Sequence, residues 1–253
     1  MAVVDTGIDA EHEDLVGRVT ASVNFSNSPV ADDVYGHGTH VAGTIAAASD
    51  NGIGICGIAP GCSLVNVKVA DDGGRCSGRD IAEGIVWAVD NGASVLNISL
   101  CLAEPYRELE EAVDYAWDHG AVVVAAAGNG GDSTPLYPAY YENCLAVTAV
   151  KEDGSRGPLA SYGDWVDVAA PGYQVYSTLP GDEYGCKTGT SQAVAHVSGL
   201  AALLYSVAGD SNGNGRVNDE VRTAIEQGCC SVDGSGMGHG RVDGEKALSL
   251  IER

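Results

Sequence analysis

The sequence predicts an α/β fold in three layers, a mostly parallel twisted sheet carrying helices on both faces. Three observations predict it. Short, strand-like apolar runs alternate with longer segments of helical period. With 253 residues and 45% hydrophobic content the chain can bury one large core, and nothing between the runs reads as a linker.

The first strand is the apolar run Ala2 to Val4, which ends at Asp5. A helix follows over His40 to Ala48, then a strand over Leu64 to Val69. The next helix runs from Asp80 to Asn91 and is announced by Ser77, three residues before Asp80, in a capping-box pattern. Ser94 to Ile98 is a strand, Glu104 to His119 a helix, and Ala121 to Ala126 and Leu145 to Val150 are strands. A last long helix covers Thr190 to about Val207. Apolar strands separated by helices imply a parallel sheet covered on both sides.

Charge narrows the partners. Thirteen Lys and Arg against 35 Asp and Glu give a net charge of −22, which repels nucleic acid and anionic membranes. Self-repulsion of that size destabilises a compact chain unless salt screens it, so the composition, with one Phe and few Lys, suggests adaptation to salt. Apolar runs such as Val122 to Ala127 fall far short of the ~20 residues that a membrane-spanning helix needs. The eight cysteines lack the paired C-x-x-C spacing of a zinc site, and both disulfides and buried thiols fit their even number. Met1 leads straight into Ala2-Val3-Val4 with no basic or apolar leader, so the chain reads either as intracellular or as part of a longer precursor.

In parallel sheets, functional residues gather at the carboxyl ends of strands and at the helix starts that follow. Asp5 ends the first run and Asn129 follows Ala121 to Ala126, while His37 and Ser191 stand in Gly-flanked turns just before helices. Each alone suits a commonplace role, as a turn residue or helix cap. Together they suit acyl transfer, because a serine needs an imidazole base and a carboxylate that holds the imidazole in its useful tautomer. His40 and His196 read as packed structural histidines, and His12, His119 and His239 as surface or turn residues.

The segments Val4-Asp5-Thr6-Gly7, Gly36-His37-Gly38-Thr39-His40 and Gly189-Thr190-Ser191-Gln192-Ala193, in that order, resemble the signature segments of subtilisin-like serine proteases. The resemblance continues through Asn97-Ile98-Ser99-Leu100, Ala125-Ala126-Ala127-Gly128-Asn129 and Ala170-Pro171-Gly172 to Gly240-Arg241-Val242-Asp243, nearly the whole chain. It implies Ser191 as nucleophile, His37 as general base, Asp5 as its orienting carboxylate and Asn129 as oxyanion donor, with no cofactor in the chemistry. Protein or peptide substrates would pair with Gly74-Arg75-Cys76 and Ser99-Leu100-Cys101, and the first specificity pocket would lie between Ser99-Leu100 and Ala126-Ala127-Gly128. Cys76 and Cys101 stand where the family usually has glycine; they would narrow the cleft or bridge it.

The resemblance further implies a monomeric extracellular enzyme, served by a propeptide or met by a protein inhibitor, and similar to the halolysin-like subtilases of salt-loving microbes. The family's N-terminal segment and propeptide are absent from the sequence as it stands. Structural calcium is expected at Asp14 and Asn51, whose loop resembles the family's tight site. The segment Asp210 to Asn218 has oxygens at EF-hand-like positions but reads better as a turn leading into a helix capped by Asn218. Two other classes of function remain open, a catalytically silent protein-binding scaffold and a calcium-stabilised structural module.

Overall fold

The computed structural model describes residues 1–251. In chain order the elements are β1 (Ala2–Asp5), β2 (Val19–Asn24), α1 (His37–Ala46), β3 (Leu64–Lys68), α2 (Gly78–Asp90), β4 (Val95–Ile98), α3 (Arg107–Asp118) and β5 (Val122–Ala126). They continue with β6 (Cys144–Val150), β7 (Val168–Pro171), β8 (Val175–Leu179), β9 (Glu183–Lys187), α4 (Thr190–Tyr205), α5 (Asn218–Gln227) and α6 (Gly244–Ile251). Seven strands form one sheet in the order β2-β3-β1-β4-β5-β6-β7, and every neighbouring pair is parallel. The remaining two, β8 and β9, make a separate antiparallel hairpin.

Successive side chains of a strand point to opposite faces, so an all-apolar strand requires cover on both. Val4, Val67, Leu96, Ile98 and Val123 pack on one face with Ile81 and Ile85 of α2 and Leu109 and Val113 of α3. Val95, Val122 and Val124 pack on the other with Val194, Val197 and Leu204 of α4 and Val221 and Ile225 of α5. Val3 meets Val41 and Ile45 of α1 on that second side. The predicted layers are therefore present. Ser77 caps α2 as its spacing suggests, its hydroxyl accepting from the Asp80 N–H at 3.1 Å.

The chain runs outward from β1 to the edge strand β2, returns to β3 beside β1, and crosses to β4 on the other side of β1. β1 is thus flanked by connections that leave in opposite directions, and its carboxyl end is the topological switch point where such sheets hold their ligands. Asp5 is the last residue of β1.

Candidate active site

Every residue of the predicted constellation lies on that carboxyl edge. Asp5 ends β1, Ser99 follows β4, and Ala127 to Asn129 follow β5. The structure corrects one placement: His37 and Ser191 lie inside the first turns of α1 and α4 rather than in turns ahead of them. Gly38 explains how α1 begins so close to β1, since a Cβ there would lie 2.1 Å from the Gly7 carbonyl oxygen and 3.1 Å from the Asp5 Cβ.

Asp5 Oδ1 lies 2.7 Å from His37 Nδ1 and also accepts the Thr6 N–H at 2.7 Å. Asp5 is fully buried while the His37 side chain keeps 18% of its surface exposed, so the pair is backed by protein and open on the imidazole side. Burial pulls the His37 pKa down, but the Asp5 charge and hydrogen bond outweigh it, and the net shift is upward from 6.5. A carboxylate on Nδ1 fixes the proton there and leaves Nε2 as the free basic position.

Ser191 is buried at 7% exposure, and its hydroxyl donates to the Ser99 carbonyl at 3.3 Å. The Ser99 hydroxyl in turn donates to the Ser191 carbonyl, also at 3.3 Å. The structure therefore brings Asp5 and His37 into direct contact, while the Ser191 hydroxyl donates to the segment that follows β4. Loose nucleophile–base contacts of this kind are common before substrate binds.

Asn129 is exposed, and its carboxamide oxygen accepts from the Thr190 N–H at 2.9 Å and the Thr190 hydroxyl at 3.2 Å. With the oxygen so held, the amide N–H₂ is the free end. Thr190 Oγ1 also accepts the Gly128 N–H at 3.2 Å, so one side chain aligns Asn129 and the wall beneath it. Sequence reasoning missed this role of Thr190, because nothing local links it to a residue 61 positions away.

Of the cleft residues, Ala126, Ala127 and Gly128 are buried, and Leu100 packs against the α2–α3 side of the core. The Cys101 thiol donates to the Ala126 carbonyl at 3.3 Å, which ties the two walls together. Gly74, with φ 76°, turns the third segment, and Cys76 pairs with Ala70 in a short antiparallel bridge. Cys76 and Cys101 do not bridge; all eight cysteines are free thiols. Burial, helped by nearby Asp5, Asp80 and Asp71, pushes the Cys76 thiol up to about 11, and burial pushes Cys101 to about 12, so both stay protonated at neutral pH.

Asp14 and Asn51 do meet, in a hydrogen bond of 2.6 Å donated by the Asn51 amide. Asp14 Oδ2 accepts from Ile55 N at 2.9 Å and the Tyr184 hydroxyl at 3.0 Å, so both carboxylate oxygens already serve protein donors. Calcium takes six to eight oxygens from carboxylates, side-chain amides and backbone carbonyls; among the described residues no group of three or more His, Cys, Asp or Glu converges on a point, so carboxylates alone do not make a site. In the Asp210 segment, the Asp210 carboxylate accepts from Gly213, Asn214 and Gly215 N–H at 2.7–3.1 Å, which makes it a closed turn. Asn218 does not cap α5 but is its first residue, and its amide donates to the Trp117 carbonyl at 3.0 Å. His12 is buried rather than superficial, with Nε2 on the Glu183 carbonyl at 3.1 Å. His40 is the packed histidine it was read to be, its Nε2 lying 3.0 Å from Val175 O and burial lowering its pKa to about 4.

Known proteins bear on this geometry directly. Residues 1–236 match the profile of the subtilase family. The chain is 44% identical over 252 residues to the thermophilic serine proteinase of Bacillus sp. (strain AK1), covering 98% of this chain and 61% of that protein. It is 42% identical over 251 residues to thermitase of Thermoactinomyces vulgaris, covering 98% of this chain and 88% of thermitase. A solved protease structure from Pseudoalteromonas arctica superposes with a TM-score of 0.88 at 30% identity, covering 99% of this chain and 89% of that one. On this evidence the chain belongs to the subtilase family of serine endopeptidases.

Proposed function

We propose that the chain hydrolyses peptide bonds through an acyl-enzyme on Ser191. The observation that carries the reading is the 2.7 Å Asp5–His37 contact on the same sheet edge as the first turn of α4. In the proposed cycle His37 Nε2 takes the Ser191 hydroxyl proton as Oγ attacks the scissile carbonyl, and returns it to the leaving amine. The Asn129 amide and the Ser191 N–H, one of the first-turn donors that a helix leaves without an internal acceptor, stabilise the oxyanion. Water then repeats the sequence on the ester. Asp5 holds the imidazole throughout and stabilises its cationic form.

The substrate would lie as an added strand between Gly74–Cys76 and Ser99–Cys101, with a large uncharged side chain between Leu100 and Ala126 to Gly128. The proposal treats residues 1–253 as one monomeric peptidase domain acting outside the cell, with a propeptide or protein inhibitor as its macromolecular partner. Among the described residues no helix is long and apolar enough to cross a membrane.

A fluorophosphonate probe is expected to label Ser191 in the folded protein and to fail on the His37→Ala variant. A folded wild-type chain that takes up no label would instead favour the silent scaffold.

Salt adaptation, of the kind found in halolysin-like relatives, is supported by the charge of −22. Among the described residues only Asp5, Asp14 and Asp33 are buried carboxylates, so the excess sits on the surface where ions screen it. The unfolding midpoint is expected to rise by several degrees as NaCl approaches about 1 M, where the screening length is ~3 Å. A flat or falling midpoint would remove this part of the reading.

A further inference from the structure

Asp33 lies in the connection between β2 and α1 and is 5% exposed, one of three buried carboxylates among the described residues. Its oxygens are saturated. Oδ1 accepts from the Thr6 hydroxyl and the Gly36 N–H, both at 2.8 Å, and Oδ2 accepts from the Thr39 N–H at 2.8 Å and the Thr39 hydroxyl at 2.7 Å. These donors come from two places. Thr6 directly follows Asp5, and Gly36 and Thr39 bracket His37 in the first turn of α1. The link is doubled, because the Thr6 hydroxyl also accepts the Gly38 N–H at 2.9 Å.

The residue at the N-cap of α1, Gly36, is left-handed with φ 81° and has no side chain to offer. Asp33 supplies the missing acceptor from three residues upstream, and its negative charge sits at the positive end of the helix. It also grips the strand end that carries Asp5. Lys68, wholly buried, backs the arrangement from β3 by donating to the Thr6 carbonyl at 2.5 Å and the Asp32 carbonyl at 3.1 Å.

We infer that Asp33 is a positioning residue for the reaction, a single carboxylate that fixes β1 and α1 in the register at which Asp5 meets His37. It touches neither substrate nor nucleophile and acts through the pair. The inference rests on the reading of His37 as general base.

Asp33→Asn is nearly isosteric but turns an amide N–H₂ toward two donors. The threonine hydroxyls can rotate away, whereas the Gly36 or Thr39 N–H cannot, so one backbone donor loses its acceptor. A misplacement on the order of 1 Å costs about 100-fold in rate, and a fractional shift is expected here. The expected result is a fall in kcat of roughly 10- to 100-fold with KM changed by less than about threefold.

The pH profile separates positioning from simple bracing. His37 is faced by Asp5 from β1, Asp33 from the β2–α1 connection, Lys187 from β9 and His40 from its own helix. Asp5 and Asp33 hold its pKa up; burial and Lys187 pull it down. Removing the Asp33 charge should therefore move the acid limb of kcat/KM to lower pH. A residue that only braced the fold would lower the unfolding midpoint and leave both kcat and the acid limb of the folded enzyme in place, and that result overturns the inference.

If Asp33→Asn does not fold, Thr6→Val and Thr6→Ser carry the test. Valine deletes the hydroxyl that joins Asp33 to the Asp5 segment and should lower kcat, and serine should recover most of the loss. Equal rates in the two Thr6 variants overturn the inference as well. Fluorophosphonate labelling of the unaltered enzyme distinguishes failure of this inference from failure of the acyl-enzyme reading, because only the latter predicts an unreactive Ser191.

Discussion

Ser191→Ala is expected to lower kcat on a chromogenic peptide by about 10⁶-fold, a magnitude supplied by subtilisin, a member of the same family. The size follows from what one hydroxyl does. Without it no acyl-enzyme forms, and the His37 base has only water to activate, in a site shaped for a nucleophile anchored on α4. What remains is oxyanion stabilisation by Asn129 and substrate binding, worth roughly 10³–10⁴ over the uncatalysed reaction. Stability should barely change. The hydroxyl makes one long hydrogen bond, 3.3 Å to the Ser99 carbonyl, and such a bond contributes about 1 kcal/mol or less. The decisive measurements are kcat for the single variant and for Ser191→Ala combined with His37→Ala, which should be no slower because the two residues act as a unit. A loss below about 100-fold, or additive losses, would remove Ser191 as the nucleophile.

What the sequence reveals of this molecule depends on how local each cause is. β1, β3, β4, β5 and β6 are legible because strands covered on both faces are dominated by apolar residues, and Val122 to Ala126 is apolar throughout. β2 hides because it is an edge: its pattern is half-exposed along Val19–Asn24, with polar Thr20, Ser22 and Asn24 in it. β7 is short and ends in Pro171, and the β8–β9 hairpin is polar enough to pass for a loop. α1 starts three residues earlier than its apolar period suggests. Glycine at the N-cap, Gly36, and in the first turn, Gly38, masks the helix start, and the acceptors that hold its N–H groups, Asp33 and Thr6, lie outside the helix.

The site divides along the same line. Asp5, His37, Ser191 and Asn129 are each marked by a short segment at a strand end or helix start. Thr6, Asp33 and Thr190 are ordinary polar residues whose importance exists only once β1, α1 and α4 are assembled. His12 was invisible for the same reason, since its partner carbonyl lies 171 residues away. The Asp14–Asn51 pair is legible because its two segments are each distinctive, and the structure brings the two side chains together.

Asp5→Asn is the second large effect, and it tests the electrostatics rather than the nucleophile. Oδ1 serves both the Thr6 N–H and His37 Nδ1: a carboxamide with its oxygen there keeps the tautomer but loses the charge that stabilises the imidazolium, and one with its N–H₂ there reverses the tautomer, so that Nε2 carries the proton and cannot act as base. The expected loss in kcat is on the order of 10⁴-fold. Two further signs must follow if Asp5 raises the His37 pKa against its burial. With the charge gone, burial prevails and the pKa drops below 6.5, so the acid limb of the residual kcat/KM moves to lower pH although the enzyme is slower.

Stability must change in the matching direction. In the unaltered protein the folded His37 pKa lies above the unfolded one, so this pair contributes stability that is complete below 6.5 and is lost as pH rises through the folded value. In the variant the folded pKa lies below the unfolded one, and the imidazole opposes folding in acid. The difference in unfolding free energy between the two proteins should therefore be larger near about pH 5 than near about pH 9. An acid limb that stays fixed, or a stability difference that grows with pH, would mean that Asp5 does not set the charge state of His37.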